Sequence, residues 1–218
     1  MIRSNIKRSI HDKGFAEALA SLSPDEKGIW EEKAKLLAEA TSGDEGLIDE
    51  ETAEAKSMYP GAQVQVIPIT TLQREYYNFG YLPGWAKNFK DHKKLYNARS
   101  DSLRIKPTWK KAWYNGQRCL VCAAGFWEDD RVNDKRYFFS VKGKEEIFFG
   151  GIFNHWKDPT NAQVVKTFAI ITHEPNELLL SINHPRMPAI LDENSCDIWL
   201  NANEPEPVVF DLILTYPA

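Results

Sequence analysis

The sequence predicts a single α+β domain dominated by antiparallel strands. The chain has 218 residues, of which 43% are hydrophobic and 27% charged, a composition typical of globular proteins. From residue 58 onward, short segments rich in Val, Ile and Phe alternate with turn residues, whereas residues 1–57 have a helical pattern. No repeat or linker divides the sequence. We therefore expect one domain over residues 1–218, in which a helical, acidic segment 1–57 packs on a core formed by residues 58–218.

The N-terminal segment contains one clear helix start. Ser23 is suited to the N-cap, Pro24 to the first helical position, and Glu26 completes a capping box. One amphipathic face then follows at helical spacing, formed by Ile29, Trp30, Lys33, Leu36, Leu37 and Ala40. The acidic residues 44–56 have only a weak helical tendency, and we interpret them as a solvated surface hairpin.

Six strands are predicted in the core. The first alternates polar and apolar residues as a half-buried strand does, and the later ones are rich in Val, Ile and Phe. The predicted strands are Gln63–Ile69, Tyr76–Tyr81, Arg118–Ala123, Arg136–Lys142, Glu146–Phe153 and Thr167–Thr172. Two helices interrupt or follow them: one begins near Pro175 and carries residues 178–180, and the other spans Asp192 to Leu200.

A basic stretch, residues 84–118, has a charge opposite to that of the whole chain. It contains ten Lys and Arg residues and two Asp residues, so ten minus two leaves eight excess positive charges in a protein of net charge −4. Six aromatic residues lie within it: Trp85, Phe89, Tyr96, Trp109, Trp113 and Tyr114. Cations with interleaved rings are typical of single-strand nucleic-acid binding. A solvated basic face over ordinary core aromatics explains the stretch equally well.

Several classes of protein are disfavoured by the sequence. No run of eighteen apolar residues is present and the N-terminus is charged, so we expect a soluble cytoplasmic protein with no membrane partner. Three cysteines favour a reducing compartment. Cys119 and Cys122 point to opposite faces of a predicted strand, which favours core cysteines over a metal site. We expect no metal, no cofactor and a monomer.

Three short segments concentrate polar residues. They are Asn97-Ala98-Arg99, then Gly125-Phe126-Trp127-Glu128, and finally residues 183–188, in which His184 and Arg186 lie between prolines. We expect Glu128 at the end of a strand and His184 on a rigid turn. Glutamate and histidine are suited to proton transfer because burial and neighbours can bring the pKa of either group towards neutrality. Taken singly, each also has a structural explanation.

Together these segments resemble the SOS response-associated peptidase (SRAP) family, whose members sense abasic sites in single-stranded DNA. The resemblance runs from Pro60 to Leu200 in the family's order. It also includes the turn Tyr59-Pro60-Gly61, the segment Phe79–Trp85 and the motif His184-Pro185-Arg186-Met187-Pro188. The resemblance implies an α+β fold with barrel-like sheets and peripheral helices.

The resemblance also implies a role for each site residue. Asn97 would position the sugar, while Glu128 and His184 would move protons. Arg99 and Arg104 would hold flanking phosphates, and Trp85 and Pro60 would stack on the strand or wedge into it. Thr172 and Arg186 are likewise expected to contact DNA. The implied partner is single-stranded DNA that contains abasic sites.

In this family an N-terminal cysteine, exposed when the initiator methionine is removed, forms a thiazolidine with the sugar aldehyde. Here Ile2 follows Met1, and we expect an upstream start that supplies the cysteine. The family also usually has Trp after the motif glutamate, where this chain has Asp129. Two other functions remain open from the sequence: a catalytically inactive module that binds single-stranded DNA, and a hydrolase that uses Glu128 and His184 with water.

Overall fold

The computed structural model describes residues 57–130 and 132–214, apart from the side chains of residues 92 and 93. The predicted N-terminal helix and acidic hairpin lie outside the described residues. The strands are β1 (Gln63–Pro68), β2 (Glu75–Phe79), β3 (Asn97–Arg99), β4 (Arg118–Ala123), β5 (Phe126–Asp130), β6 (Lys135–Phe139), β7 (Ile147–Lys157), β8 (Val164–His173), β9 (Met187–Pro188) and β10 (Ile190–Leu191). The helices are α1 (Ser100–Leu103), α2 (Pro107–Tyr114), α3 (Glu177–Ser181), α4 (Glu193–Trp199) and α5 (Glu206–Leu212), with a 3₁₀ helix over Phe89–Lys94.

Five strands close into a barrel. The pairing order is β7-β4-β1-β2-β8, and β8 pairs back onto β7, so each of these strands has two neighbours within the barrel. The contacts within the barrel are antiparallel except for β2 with β8. β3 adds to β8 in parallel and β9 adds to it in antiparallel orientation. The α+β class and the barrel-like sheet expected from the sequence are therefore confirmed.

Two apolar clusters lie on the two faces of the barrel wall. All five barrel strands contribute to the interior cluster, which includes Val66, Tyr77, Val121, Phe153 and Phe168. The other cluster lies between the outer face of the wall and the helices, and includes Leu120, Ile152, Trp109, Trp113 and Trp199. Successive strand residues alternate between the faces, as Leu120 and Val121 of β4 do. The C-terminal end of β8, at Thr172 and His173, is held by β3 and β9.

The predicted elements agree with the structure in most places and differ in a few. β4 has the predicted bounds, whereas β7 continues to Lys157 and β6 ends earlier, at Phe139. The short elements β3, α1 and α2, which lie inside the basic stretch, were not predicted, and neither was α5. The expectation that Glu128 ends a strand is wrong: it lies inside β5, where it pairs with Tyr137 of β6 in a separate two-stranded hairpin.

Candidate active site

The centre of the candidate site is a contact between Glu128 and His184. Glu128 Oε2 lies 2.8 Å from His184 Nε2, and the two side chains are only 22% and 15% exposed. The β5–β6 hairpin presents the glutamate. The histidine follows Asn183, which has a left-handed φ of 55°, and its backbone N–H donates to the Leu179 carbonyl of α3 at 3.0 Å. Two separate elements thus hold one acid–base pair.

The hydrogen bonds of His184 define where its protons are. His184 Nδ1 lies 2.7 Å from the Arg186 carbonyl oxygen, which can only accept a hydrogen bond, so Nδ1 must carry a proton. The close Nε2–Oε2 contact then requires a second proton between the ring and the carboxyl group. That proton belongs either to an imidazolium beside a carboxylate or to a carboxylic acid beside a neutral ring. Such a pair is suited to give and take one proton.

Arg186 connects this pair to the end of β8. Its guanidinium donates to Thr172 Oγ1 at 3.1 Å and Ser100 Oγ at 3.3 Å, and it also donates to the Thr172 carbonyl. Glu174 and Asp101 lie at 3.6 and 3.9 Å from Arg186 Nη1. Burial lowers the pKa of Arg186, and the neighbouring Arg99 adds to this effect. The guanidinium therefore fixes the turn that carries His184 against β8 and α1.

The strand β3 presents two polar side chains beside this cluster. Its middle residue, Ala98, is buried, whereas Asn97 and Arg99 are exposed on the same face of the strand. β3 pairs with β8 so that Arg99 lies opposite Thr172. The Arg99 guanidinium makes a bidentate contact with Asp101 at 2.6 and 3.2 Å, and Arg99 lowers the pKa of that carboxyl group. Arg99 is thereby placed at the edge of the site, and Asn97 lies on the same exposed face of β3.

Gly125 is required for the hairpin that carries Glu128. A Cβ atom at this position would lie 2.2 Å from the Phe139 carbonyl oxygen and 2.6 Å from Phe138 Cζ. Contacts this short involve backbone as well as ring atoms, so a small side-chain movement does not relieve them. The glycine of the Gly125–Glu128 segment thus allows the two strands to approach each other closely.

The structure brings together some predicted site residues and not others. Glu128, His184, Arg186 and Thr172 form one connected cluster, which Arg99 joins through Asp101, and Asn97 shares the exposed face of β3 with Arg99. Arg104 instead makes a bidentate contact with Glu206 of α5 at 2.8 and 3.0 Å. Pro60 and Trp85 lie outside the cluster: Pro60 is in the turn before β1, and Trp85 is 65% exposed after Pro83 and Gly84.

The basic stretch divides into a surface part and a structural part. Trp109 and Trp113 are buried in the outer cluster. Arg118, one of the ten basic residues of the stretch, is 6% exposed and donates to the carbonyls of Trp199 and Asn201 at 2.9 and 3.1 Å. The interpretation of the stretch as a nucleic-acid-binding surface is therefore wrong at these three positions. The exposed aromatic residues of the basic stretch are Trp85, Phe89, Tyr96 and Tyr114.

Sequence reasoning missed four residues around Arg186. Ser100 accepts a hydrogen bond from its guanidinium, Asp101 and Glu174 supply carboxylates, and His173 is buried next to Thr172. The position of Ser100 and Asp101 directly after Asn97-Ala98-Arg99 was the available signal. Nothing in the local sequence pointed to the burial of His173, whose Nε2 atom has no hydrogen-bond partner among the described residues.

The cysteines do not form a site. All three are thiols, Cys119 and Cys196 are buried, and burial raises the pKa of Cys122 to about 11 and that of Cys196 to about 12. Within residues 57–130 and 132–214 no group of three or more His, Cys, Asp and Glu side chains is placed to hold a metal ion. In the same part of the chain, none of the helices is long and apolar enough to span a bilayer.

Comparison with known proteins decides the family. The model of the SOS response associated peptidase (SRAP) family matches residues 29–218. The chain belongs to this family. The SRAP match extends the resemblance seen in the motifs to the C-terminal helix α5 and to part of the N-terminal segment.

Curated relatives and solved structures agree with the SRAP assignment. The abasic site processing protein YoqW of Bacillus subtilis is 34% identical over 132 residues, which are 59% of this chain and 58% of that protein. The abasic site processing protein HMCES of Xenopus tropicalis is 29% identical over 149 residues, 58% of this chain and 44% of the relative. The matches thus span about half of each curated relative's length.

Two crystal structures from bacteria resemble the fold. A protein from Bacteroides thetaiotaomicron has a TM-score of 0.63 and 26% identity, and the match covers 71% of this chain and 69% of the other. A protein from Bordetella bronchiseptica has a TM-score of 0.65 over 84% of this chain and 90% of the other. At 18% identity, the latter shows the shared fold alone.

Proposed function

We propose that this chain recognises abasic sites in single-stranded DNA and processes them with the Glu128–His184 pair. The observation that carries the proposal is the 2.8 Å contact between Glu128 Oε2 and His184 Nε2, in a cluster to which Arg99 is linked through Asp101 and Arg186. The relatives YoqW and HMCES are named abasic site processing proteins, which supports the same substrate.

The chemistry of an abasic sugar requires such a pair. The closed sugar is a hemiacetal, and opening it requires removal of the C1′ hydroxyl proton and protonation of the ring oxygen. The carboxylate can accept the hydroxyl proton and the imidazolium can protonate the ring oxygen. Transfer of a proton from the glutamic acid to the histidine then restores both groups. We propose that the pair catalyses ring opening, and that Asn97 hydrogen-bonds the sugar while Arg99 pairs with a flanking phosphate.

The covalent step belongs to the same proposal. The α-amine of an N-terminal cysteine would attack the aldehyde and lose water to give an imine, and the thiol would then add to the imine carbon to close a thiazolidine. Protons lost by the amine and thiol would pass through the Glu128–His184 pair. Because Ile2 follows Met1 in this sequence, the step depends on a cysteine placed ahead of Ile2. We propose that the same site removes the initiator methionine that precedes the cysteine.

The other predicted DNA contacts belong to the same proposal, and a different observation supports each of them. Trp85 is exposed and can stack on a base, and Pro60 is partly exposed in the turn before β1. Arg186 and Thr172 bond each other, so we propose that they contact the strand from fixed positions. Arg104 would meet phosphate through the guanidinium edge that faces away from Glu206.

Crosslinking to an abasic oligonucleotide tests the proposal. The chain is produced with Met-Cys placed ahead of Ile2, incubated with a single strand that contains one abasic site, and analysed on a denaturing gel. We expect a covalent complex that forms without borohydride and is lost when the added cysteine is replaced by serine. If the chain binds the oligonucleotide but never crosslinks, it is a noncovalent binding module and the proposed chemistry is wrong.

A further inference from the structure

Helix α2 has one face in the core and another exposed to solvent. Trp109, Ala112 and Trp113 are buried, with Trp113 against Trp199 and Phe210. On the other side, Lys110, Lys111 and Tyr114 are exposed. The buried face explains how α2 is held on the barrel. It does not explain why the outer face combines two lysines with a tyrosine that is 56% exposed.

The outer face borders an open hollow of about 450 Å³. Its lining consists of Ile105, Pro107, Lys110, Lys111, Tyr114 and Asn115. Ile105 is 69% exposed and lies beside the half-exposed ring of Tyr114, so apolar surface is open to solvent at this point. The hollow therefore presents apolar side chains from Ile105, Pro107 and Tyr114, with ammonium groups at its margin.

We propose that this hollow is a docking site for an acidic segment of a partner protein that carries an apolar side chain among its carboxylates. The apolar side chain would enter the hollow and cover Ile105 and Pro107, and aspartate or glutamate side chains on either side would pair with Lys110 and Lys111. Burial of the apolar group supplies affinity, while the charges select an acidic partner and speed its association.

The shape of the lining favours a peptide over a nucleic-acid strand. Strands bind on flat aromatic platforms, and the hollow offers one ring, Tyr114, beside an aliphatic isoleucine and a proline. A stacked base would leave Ile105 uncovered, whereas a Leu, Ile or Phe side chain would bury it. The hollow also shares no residue with the Glu128–His184 cluster, so the inference goes beyond the proposed function and does not depend on it.

Fluorescence anisotropy with a designed peptide tests the inference on the whole chain. The probe is a fluorescein-labelled peptide in which aspartates flank a leucine and a phenylalanine on both sides. We expect saturable binding that weakens about tenfold or more when Lys110→Glu and Lys111→Glu are combined, because like charges then face each other. Tyr114→Ala is expected to weaken binding about fivefold through the loss of apolar contact. The matched control, Lys142→Glu with Lys157→Glu, changes charge equally at two exposed lysines elsewhere and should bind as the unmodified chain does.

Further probes separate this inference from its competitors. A peptide in which serines replace leucine and phenylalanine should bind about tenfold more weakly, since the apolar anchor is lost. Equal binding of the two peptides, or equal loss in the control variant, would mean that only general charge attraction operates and would overturn the proposal. The proposal would also be overturned if an undamaged oligothymidylate bound more tightly than the peptide and the Lys110→Glu, Lys111→Glu variant no longer bound the oligothymidylate. Failure of lesion crosslinking in every chain, the unmodified one included, would concern the proposed function alone.

Discussion

Glu128 and His184 meet at 2.8 Å although one lies on a hairpin outside the barrel and the other on a turn after helix α3. His184 Nδ1 donates to the Arg186 carbonyl, and Arg186 is itself held by Thr172 and Ser100. The imidazole therefore cannot rotate away from Glu128 without breaking a hydrogen bond. This arrangement fixes the imidazole relative to the carboxyl group, as the proposed proton transfer requires.

Glu128→Gln tests the proton-transfer role of the pair. Glutamine keeps the size of the side chain but neither takes nor gives the proton, so we expect the crosslinking rate of the cysteine-bearing chain to fall about 10²-fold or more. Affinity for a strand with a stable abasic analogue should change little. Asp129→Asn is the matched control because Asp129 is the next residue on β5 and points to the opposite face. Equal rates for Glu128→Gln and the unmodified chain would remove the pair from the mechanism.

Arg99 and Arg104 are both predicted to hold phosphates, but their environments differ. We expect Arg99→Ala to weaken single-strand binding and to reduce its salt slope by about 0.7, the value for one phosphate contact. The variant's stability should change little, because the ion pair with Asp101 is exposed to solvent. Binding titrations at several salt concentrations and a thermal melt measure the two effects.

Arg104→Ala is expected to lower stability as well as salt-dependent binding. Arg104 bonds Glu206 and stacks at 3.6 Å on Phe210, and Glu206 also accepts from Trp113. Its loss should therefore lower the free energy of unfolding by about 1–3 kcal/mol. Glu206→Gln is the control, because it should destabilise α5 without weakening DNA binding. If Arg104→Ala leaves the salt dependence of single-strand binding unchanged, the role of Arg104 is limited to its contact with Glu206.

Gly125→Ala should displace the hairpin that carries Glu128. Since the new Cβ atom would overlap the Phe139 carbonyl oxygen, we expect the free energy of unfolding to fall by about 1–3 kcal/mol, with a further loss of crosslinking. Gly84→Ala is the matched control, because no atom lies within 4 Å of its Cβ position. Urea denaturation of the two variants provides the comparison, and equal stabilities would contradict the packing argument.

His173 should make the fold sensitive to acid. Burial and the positive charge of Arg186 lower the pKa of His173, so the native state resists a proton that the unfolded chain accepts near pH 6.5. Stability should therefore be independent of this group above about pH 7 and fall as the pH drops below about 6.5. His173→Leu should remove part of that loss in urea unfolding at about pH 5 and about pH 7.5. The remainder belongs to other groups, including His155, whose pKa burial also lowers. The same pH dependence in the variant would contradict the assignment.

The long barrel strands were well predicted because the alternation of polar and apolar residues and the β-branched side chains that mark a buried strand are local features of the sequence. β4 is the clearest case, since its six residues have the predicted bounds. Strand β3 was not predicted because three residues are too few for a pattern, and it exists through its register with β8. The charged β5 segment becomes a strand because Phe126 and Phe139 stack across the hairpin.

The residue types of the site were predictable and its contacts were not. Glu128 and His184 stood out in the sequence as polar residues in rigid settings, but only the three-dimensional structure shows that they touch. The burial of Arg118 depends on carbonyls at the end of α4, and the pairing of Arg104 depends on α5. No local pattern in the basic stretch reveals these tertiary partners.

Lesion preference on single strands tests the central claim most directly. Anisotropy titrations of the chain compare three otherwise identical oligonucleotides: a single strand with one abasic analogue, the undamaged single strand, and the damaged strand in a duplex. We predict that the damaged single strand binds about tenfold more tightly than either of the others, and that Asn97→Ala removes the preference, because an interaction with the exposed sugar is worth about 1–3 kcal/mol. Equal affinity for damaged and undamaged single strands would contradict the account.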